Sequence, residues 1–304
     1  MGTAHRILID TDPGLDDAVG ILYALAEPRF AIEGVTAVAG NIGIGTTTRN
    51  VGSLLAAMGR ADIAYAAGAS GPLRGDGIHE EAIHGVDGLG GVTLPAPRAA
   101  PDPRGATRFL ADQLLSAPEG ALTVLALGPL TNLALLSRDA PRAYARIGRI
   151  IAMGGTIHEP GNCGPYAEFN MAADPLAAQI VFSGPVPLTL IPLDVTRKLR
   201  ANPEDLARLA AKGTIAATLS AALIQAYFTD NAERQSRPLH DPCVMLRALE
   251  PHLFGTQRMT ISVDCETHLG RLVPTADGTP IDVAMTIDAP GALEALWAGL
   301  GNQR

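Results

Sequence analysis

Residues 7–22 read ILIDTDPGLDDAVGIL and place Asp10, Asp12, Asp16 and Asp17 between an apolar run and a second run with helical spacing. A strand that ends in Asp-x-Asp-Pro-Gly and turns at once into a helix is the first half of a βα unit. In open α/β sheets, ligands collect outside the carboxyl ends of such strands. Asp10 and Asp12 are expected at the strand end, and Asp16 and Asp17 in the first helical turn. A single acidic residue there is ordinary capping. Four on one tight turn would repel one another by several kcal/mol in a low-dielectric crevice, unless they take up protons or hold a cation. A divalent metal is the economical solution. An all-oxygen donor set with neither His nor Cys close in sequence points to a hard ion, Ca²⁺ or Mg²⁺, rather than zinc. A distant acidic contributor is available in PLHDPCVM, where Asp241 follows His240.

Outward from this stretch, β-rich runs alternate with helical patterns. RILID, IEGVTAVAG, ALTVLALG, IGRIIAMGG and PVPLTLIPLD are separated by helical spacing near 16–27, 46–60, 104–116, 129–137 and 174–183. Near-continuous apolar strands such as LTVLAL suit a parallel sheet covered on both faces. Asp174-Pro175 supplies a helix N-cap with Pro at the first helical position. Beyond residue 200 come helical stretches near 202–212 and 214–229, strands near 258–265 and 281–287, and a last helix near 290–299. The expected fold is α/β and Rossmann-like: a predominantly parallel open sheet flanked by helices, one domain over 1–304 with a helical C-terminal extension.

Composition narrows the function. The chain has 304 residues, of which 47% are hydrophobic, enough for one large core. Its 31 acidic and 23 basic residues give a net charge of −8, without a basic run that could track a phosphate backbone, so no nucleic-acid partner is expected. TRKLR at 196–200 reads as a solvated face. Cys163, Cys243 and Cys265 are too few and too far apart for a disulfide framework. No signal-peptide pattern follows Met1 and no apolar run approaches the roughly 20 residues of a membrane span, so a cytoplasmic protein with no membrane partner is expected. The Gly- and Pro-rich stretch 68–103, with GIHEEAIHGVDGLGG, is long enough to suggest a functional loop.

These residues resemble the nucleoside hydrolases of the inosine-uridine preferring type. DTDPGLDDA, AVAGN, IHGVDGLGG, LALGPLTN, MGG, GNCGPYAEFN and HDP occur in that family's order along essentially the whole chain. The resemblance implies hydrolysis of the N-glycosidic bond of ribonucleosides with bound Ca²⁺. It further implies that Asp12, Asp17 and Asp241 ligate the ion through carboxylates, Asp17 in bidentate fashion, and Leu127 through its backbone carbonyl. Asp10 would orient the site and Asn41 would hold the activated water. Asp16 would bind ribose hydroxyls, Asn162, Glu168 and Asn170 would grip the 5′ and 3′ hydroxyls, and Met153 would pack under the sugar. A homotetramer or homodimer is implied as well.

The chemistry asks for such a set. Cleavage of a ribosyl C–N bond passes through an oxocarbenium-like transition state, which negative charge around C1′ stabilises. Calcium lowers the pKa of its bound water, and Asp12 is the carboxylate placed to take the proton. For the departing base, His240 and His84 are the ionisable candidates with pKa values near neutrality. His79 lies outside the matched motif. Phe169 and either Tyr227 or Phe228 are candidates to stack on the base. The segment AYFTDNAERQSRPL, 226–239, does not align without gaps, so base preference stays open.

Two other readings share some of these features. A phosphohydrolase of the haloacid dehalogenase type shares a strand followed by Asp-x-Asp, but it expects Thr or Val where Gly14 stands. A non-catalytic ribose- or nucleoside-binding protein on the same scaffold should have lost a ligand, and none is missing.

Overall fold

The computed structural model describes residues 4–228 and 235–302. Strand β1 (His5–Thr11) is covered on both faces, as its apolar run requires: Ile7 and Ile9 enter the core beneath helix Leu15–Ala26, and Leu8 enters the core on the opposite face. The chain then continues through β2 (Phe30–Ala37), β3 (Tyr65–Ala67), β4 (Thr123–Ala126), β5 (Arg149–Met153) and β6 (Leu188–Ile191). A small ribbon pairs β7 (Arg200–Ala201) with β8 (Arg237–Pro238), and β9 (Phe254–Val263), β10 (Leu272–Pro274) and β11 (Pro280–Ile287) complete the set.

The large sheet runs β10-β9-β11-β6-β5-β4-β1-β2-β3. From β3 to β6 the strands are parallel in the doubly wound order 3-2-1-4-5-6. The order reverses between β1 and β4, and there the connections leave in opposite directions and open a crevice at the carboxyl ends. Asp10 pairs with Ala126 at this point, so the aspartate stretch and Leu127 meet at the switch.

Helices Leu15–Ala26, Ile44–Ala57, Ile215–Ala226, Pro242–Leu249 and Ala289–Leu300 cover one face, and Ala106–Ser116, Thr131–Asp139 and Pro175–Phe182 the other. Every residue of Leu15–Ala26 is buried, which explains its two apolar sides. The C-terminal extension is helical as expected, and it also extends the sheet. β11 runs parallel to β6, and β9 and β10 follow antiparallel, covering what would otherwise be an open edge. None of the described helices is long and apolar enough to cross a membrane.

The stretch 68–103 contains one short helix, Glu81–His84, and folds over the carboxyl ends of the strands. It is tied there by Glu80 N–H to the Asn41 carbonyl at 2.9 Å and by Leu15 N–H to His84 Nδ1 at 3.0 Å.

Candidate active site

The crevice at the switch point is a cavity of about 390 Å³. The carboxyl end of β1 adjoins it through the pairing of Asp10 with Ala126, which precedes the lining residue Leu127. Asp10 lies beneath it, its Oδ1 accepting from Thr36 Oγ1 and from Asn132 Nδ2 at 2.7 Å; burial pushes its carboxyl up to about 6. Asn132 also donates to the Ala37 carbonyl and accepts from Ala69 N–H, joining three segments below the site. The sequence showed Asn132 only as part of a helix start.

Asp12 is 1% exposed. Its Oδ2 accepts from Asn41 N–H at 2.7 Å, and Oδ1 is buried without a hydrogen-bond partner among the described residues. Gly40 and Gly128 flank this carboxylate, and a Cβ on either would collide with it. Gly128→Ala is therefore expected to displace Asp12 at a cost of about 1–3 kcal/mol, measurable by denaturant unfolding. An alanine variant with unchanged stability would show that the space is not needed.

Asp16, Asp17 and Asp241 bring one carboxylate oxygen each within 4.8 Å of one another, and all three are buried. Asp12 stands beside this trio rather than in it. Asp17 accepts from Thr11 Oγ1 at 2.7 Å, Gly14 N–H at 3.1 Å and Asn41 Nδ2 at 3.0 Å. Asp16 accepts from Tyr227 Oη at 2.6 Å and from the backbone N–H of His240 at 3.2 Å. Burial, followed by the neighbouring carboxylates, pushes Asp12, Asp17 and Asp241 above the ordinary carboxylate range. A divalent cation suits this donor set: the oxygens are hard, the charges are uncompensated, and Asp12 Oδ1 has no other partner.

One wall holds the residues expected to meet the sugar. Asn170 donates from Nδ2 to the Leu127 carbonyl at 2.7 Å and to the Met153 carbonyl at 3.3 Å, which fixes two strand ends. Glu168 caps helix Phe169–Ala173 by accepting from the backbone of Asn170 and Met171, and it also accepts from Gly155 N–H. Burial raises its carboxyl to about 7 despite those three donors. Asn162 Oδ1 accepts from Phe169 N–H at 2.9 Å. Leu127, Met153, Asn162, Glu168, Phe169 and Asn170 all line the cavity.

The opposite wall carries Asn41, His84, Tyr227 and His240. His84 Nδ1 accepts from Leu15 N–H, so this histidine caps the helix that carries Asp16 and Asp17 and must hold its proton on Nε2. Its ring meets Tyr227 edge-on, with centroids 6.0 Å apart. Of the two aromatic candidates for base stacking, Tyr227 lines the cavity and Phe228 lies in the core. His79 donates to the Gly40 carbonyl and does not line the cavity. Burial, and then Arg197 and Arg200, lower the pKa of His240.

TRKLR is largely solvated as expected, with Lys198 and Arg200 exposed and Arg197 half-buried, and Arg197 and Arg200 also line the cavity together with Arg237. The β7–β8 ribbon sets Arg200 opposite Pro238 and Ala201 opposite Arg237, a proximity without local periodicity to announce it. Arg197 donates to the Pro160 carbonyl at 2.7 Å and the Gly161 carbonyl at 3.1 Å. Glu80 and Ile83, from the long loop, also line the cavity and were not anticipated. Of the segment 226–239 that resists alignment, 229–234 lie outside the described residues.

Residues 7–294 match the profile of the inosine-uridine preferring nucleoside hydrolases. The chain belongs to this family. It is similar to the pyrimidine-specific ribonucleoside hydrolase RihA of Citrobacter koseri, 39% identical over 267 residues, 86% of this chain and 85% of that one. Among solved structures it is similar to the plant nucleoside hydrolase PpNRh1, with TM-score 0.92, 29% identity and 98% and 99% of the two chains covered. The purine-preferring ribonucleoside hydrolase of Gardnerella vaginalis follows with TM-score 0.90, 28% identity and 97% and 98% coverage. This nucleoside hydrolase therefore cleaves the N-glycosidic bond of ribonucleosides, and the phosphohydrolase and non-catalytic readings fall away.

Proposed function

We propose that the enzyme is calcium-dependent, with Asp12, Asp17, Asp241 and the Leu127 carbonyl holding the ion, and that it prefers pyrimidine ribonucleosides. The observation that carries the metal assignment is Asp12 Oδ1, buried and unpartnered in a space kept clear by two glycines, beside the acidic trio. When bound, calcium supplies Lewis acidity, which lowers the pKa of a coordinated water and draws in the ribose diol. Asp12 accepts the proton of the attacking water, and Asn41, held by Asp12 and Asp17, orients that water. Asp16 receives the ribose hydroxyls, with Tyr227 and the His240 backbone holding its carboxylate in place. Asn162, Glu168 and Asn170 bind the remaining hydroxyls, and Met153 packs beneath the ring. The buried carboxylates stabilise positive charge at C1′.

The pyrimidine preference rests on the likeness to pyrimidine-specific relatives. Uridine should exceed inosine in kcat/KM, and the reverse order would overturn this part alone. We extend the proposal to a cytoplasmic homodimer or homotetramer. The net charge of −8 sets the surface against a polyanionic partner.

Metal removal should abolish release of base from uridine, with calcium restoring it. Stability gives an independent readout. The folded state raises Asp10 to about 6 and Glu168 to about 7, and raises Asp12, Asp17 and Asp241 as well. Folded protein then holds protons that the unfolded chain has released, so the contribution of these groups to metal-free stability is fully present below about pH 4 and is lost as pH rises through 6–7. Bound calcium compensates the ionised carboxylates, and the melting-temperature gain from added calcium should grow from pH 5 to pH 8. An equal gain at both values would contradict the shared-ion site.

A further inference from the structure

His240 enters the cavity at a fixed angle. Its backbone N–H donates to Asp16, and Leu239 N–H before it donates to the Leu199 carbonyl at 2.8 Å. The ring is held by Thr196, whose Oγ1 lies 2.7 Å from His240 Nδ1. Thr196 ends the short helix Leu193–Thr196 and is fully buried, 0% exposed. Nδ1 is the one hydrogen-bond partner of that hydroxyl among the described residues. Nε2 has none, and the ring lines the cavity.

The proton on this pair can be assigned by counting donors and acceptors. Were Nδ1 to carry hydrogen, it would donate to Thr196, and the threonine O–H would point into packed protein with no acceptor. Folded proteins rarely leave a buried donor so. With Nδ1 bare, the threonine O–H donates to it and both groups are satisfied. Neutral imidazole carries one N–H, so it must then lie on Nε2, facing the cavity.

We infer that Thr196 is a positioning residue that locks His240 as the Nε2–H tautomer, making the ring a hydrogen-bond donor to an acceptor atom of the departing base. The part concerning the base rests on nucleoside hydrolysis in this cavity, whereas the tautomer does not. As the C1′–N bond breaks, its electron pair stays on the base nitrogen and the oxygen of water bonds to C1′. The Nε2–H hydrogen bond shares the charge gathering on the base. One water proton, first accepted by Asp12, passes through solvent and ends on the released base. Thr196 thus acts on leaving-group departure through His240, without touching substrate. The wrong tautomer would turn a lone pair toward that base, a mismatch known to be costly when a catalytic histidine loses its orienting partner.

The test begins with the calcium-loaded enzyme labelled with ¹⁵N-histidine. The long-range ¹H–¹⁵N spectrum, assigned with His240→Gln, should show a pyridine-type Nδ1 and a pyrrole-type Nε2 for His240; a pyrrole-type Nδ1 overturns the inference whatever the activity. Thr196→Val should mix the tautomers and lower kcat for uridine by roughly 10- to 100-fold, with KM little changed and p-nitrophenyl riboside, whose phenolate leaves unaided, nearly unaffected. Thr196→Ser should restore both spectrum and rate. Equal losses on both substrates in Thr196→Val, with the tautomer unchanged, would reduce Thr196 to packing and also overturn it. If wild-type enzyme released no base from any ribonucleoside yet showed the expected spectrum, the reaction assigned to the cavity would fail and the tautomer assignment would stand.

Discussion

Asp12→Asn should lower kcat/KM for uridine at least about 10³-fold while the protein remains folded. In the proposed mechanism Asp12 is asked to do two things at once, to ligate a cation through Oδ1 and to accept a proton, and an amide does neither well. The metal-free stability should move the other way. Burial and the charge of Asp17 raise the carboxyl of Asp12, so its ionised form is strained in the absence of a cation. At pH 8 the amide removes that strain, and metal-free Asp12→Asn should melt higher than the metal-free wild type. Calcium should then stabilise the variant less than it stabilises the wild type. A variant that loses activity together with its fold, or keeps full activity, would contradict the assignment. Circular dichroism melts with and without calcium, alongside base release, make the comparison.

Uridine should exceed 2′-deoxyuridine in kcat/KM by roughly 10³- to 10⁴-fold, since a site built to bond a substrate hydroxyl rejects an analogue lacking it by about that factor or more. In the proposed mechanism Asp16 is the carboxylate responsible. Tyr227 Oη and the His240 N–H hold its two oxygens, so it cannot swing toward another partner when the 2′-hydroxyl is missing. The loss should appear in kcat as well as KM, because the same diol is positioned against the charge developing at C1′. Comparable kcat/KM for the two substrates would mean that Asp16 does not address the diol.

Helix and strand positions were legible in the linear sequence because their signals are local. Helices expected near 16–27, 46–60, 104–116, 129–137 and 174–183 form at 15–26, 44–57, 106–116, 131–139 and 175–182, each within three residues. The carboxylates were legible for a related reason: four on one turn are difficult to accommodate without a cation, wherever the turn lies. Eleven of the thirteen anticipated site residues line one cavity, and Asp12 and Asp17 lie just beneath it. That Arg197 and Arg200 also border the cavity was not legible, since an exposed basic residue near a chain turn has the same local pattern whether or not a pocket opens beside it. Glu80 and Ile83 had no signal beyond the length of their loop.

By itself, the sequence determined the βα rhythm, the strand-end aspartates and the crowding of their charges, since periodicity and like-charge repulsion act between residues near one another in the chain. Only the tertiary structure decided how distant groups are shared out. It brings Asp241 to within 4.8 Å of Asp16 and Asp17, makes His84 the cap of helix Leu15–Ala26, and sets Thr196 against His240. Those pairings span 69 residues for His84 with Leu15 and 44 for Thr196 with His240. A hydrogen bond forms only where packing brings donor and acceptor to about 3 Å, and no spacing along the chain encodes that distance.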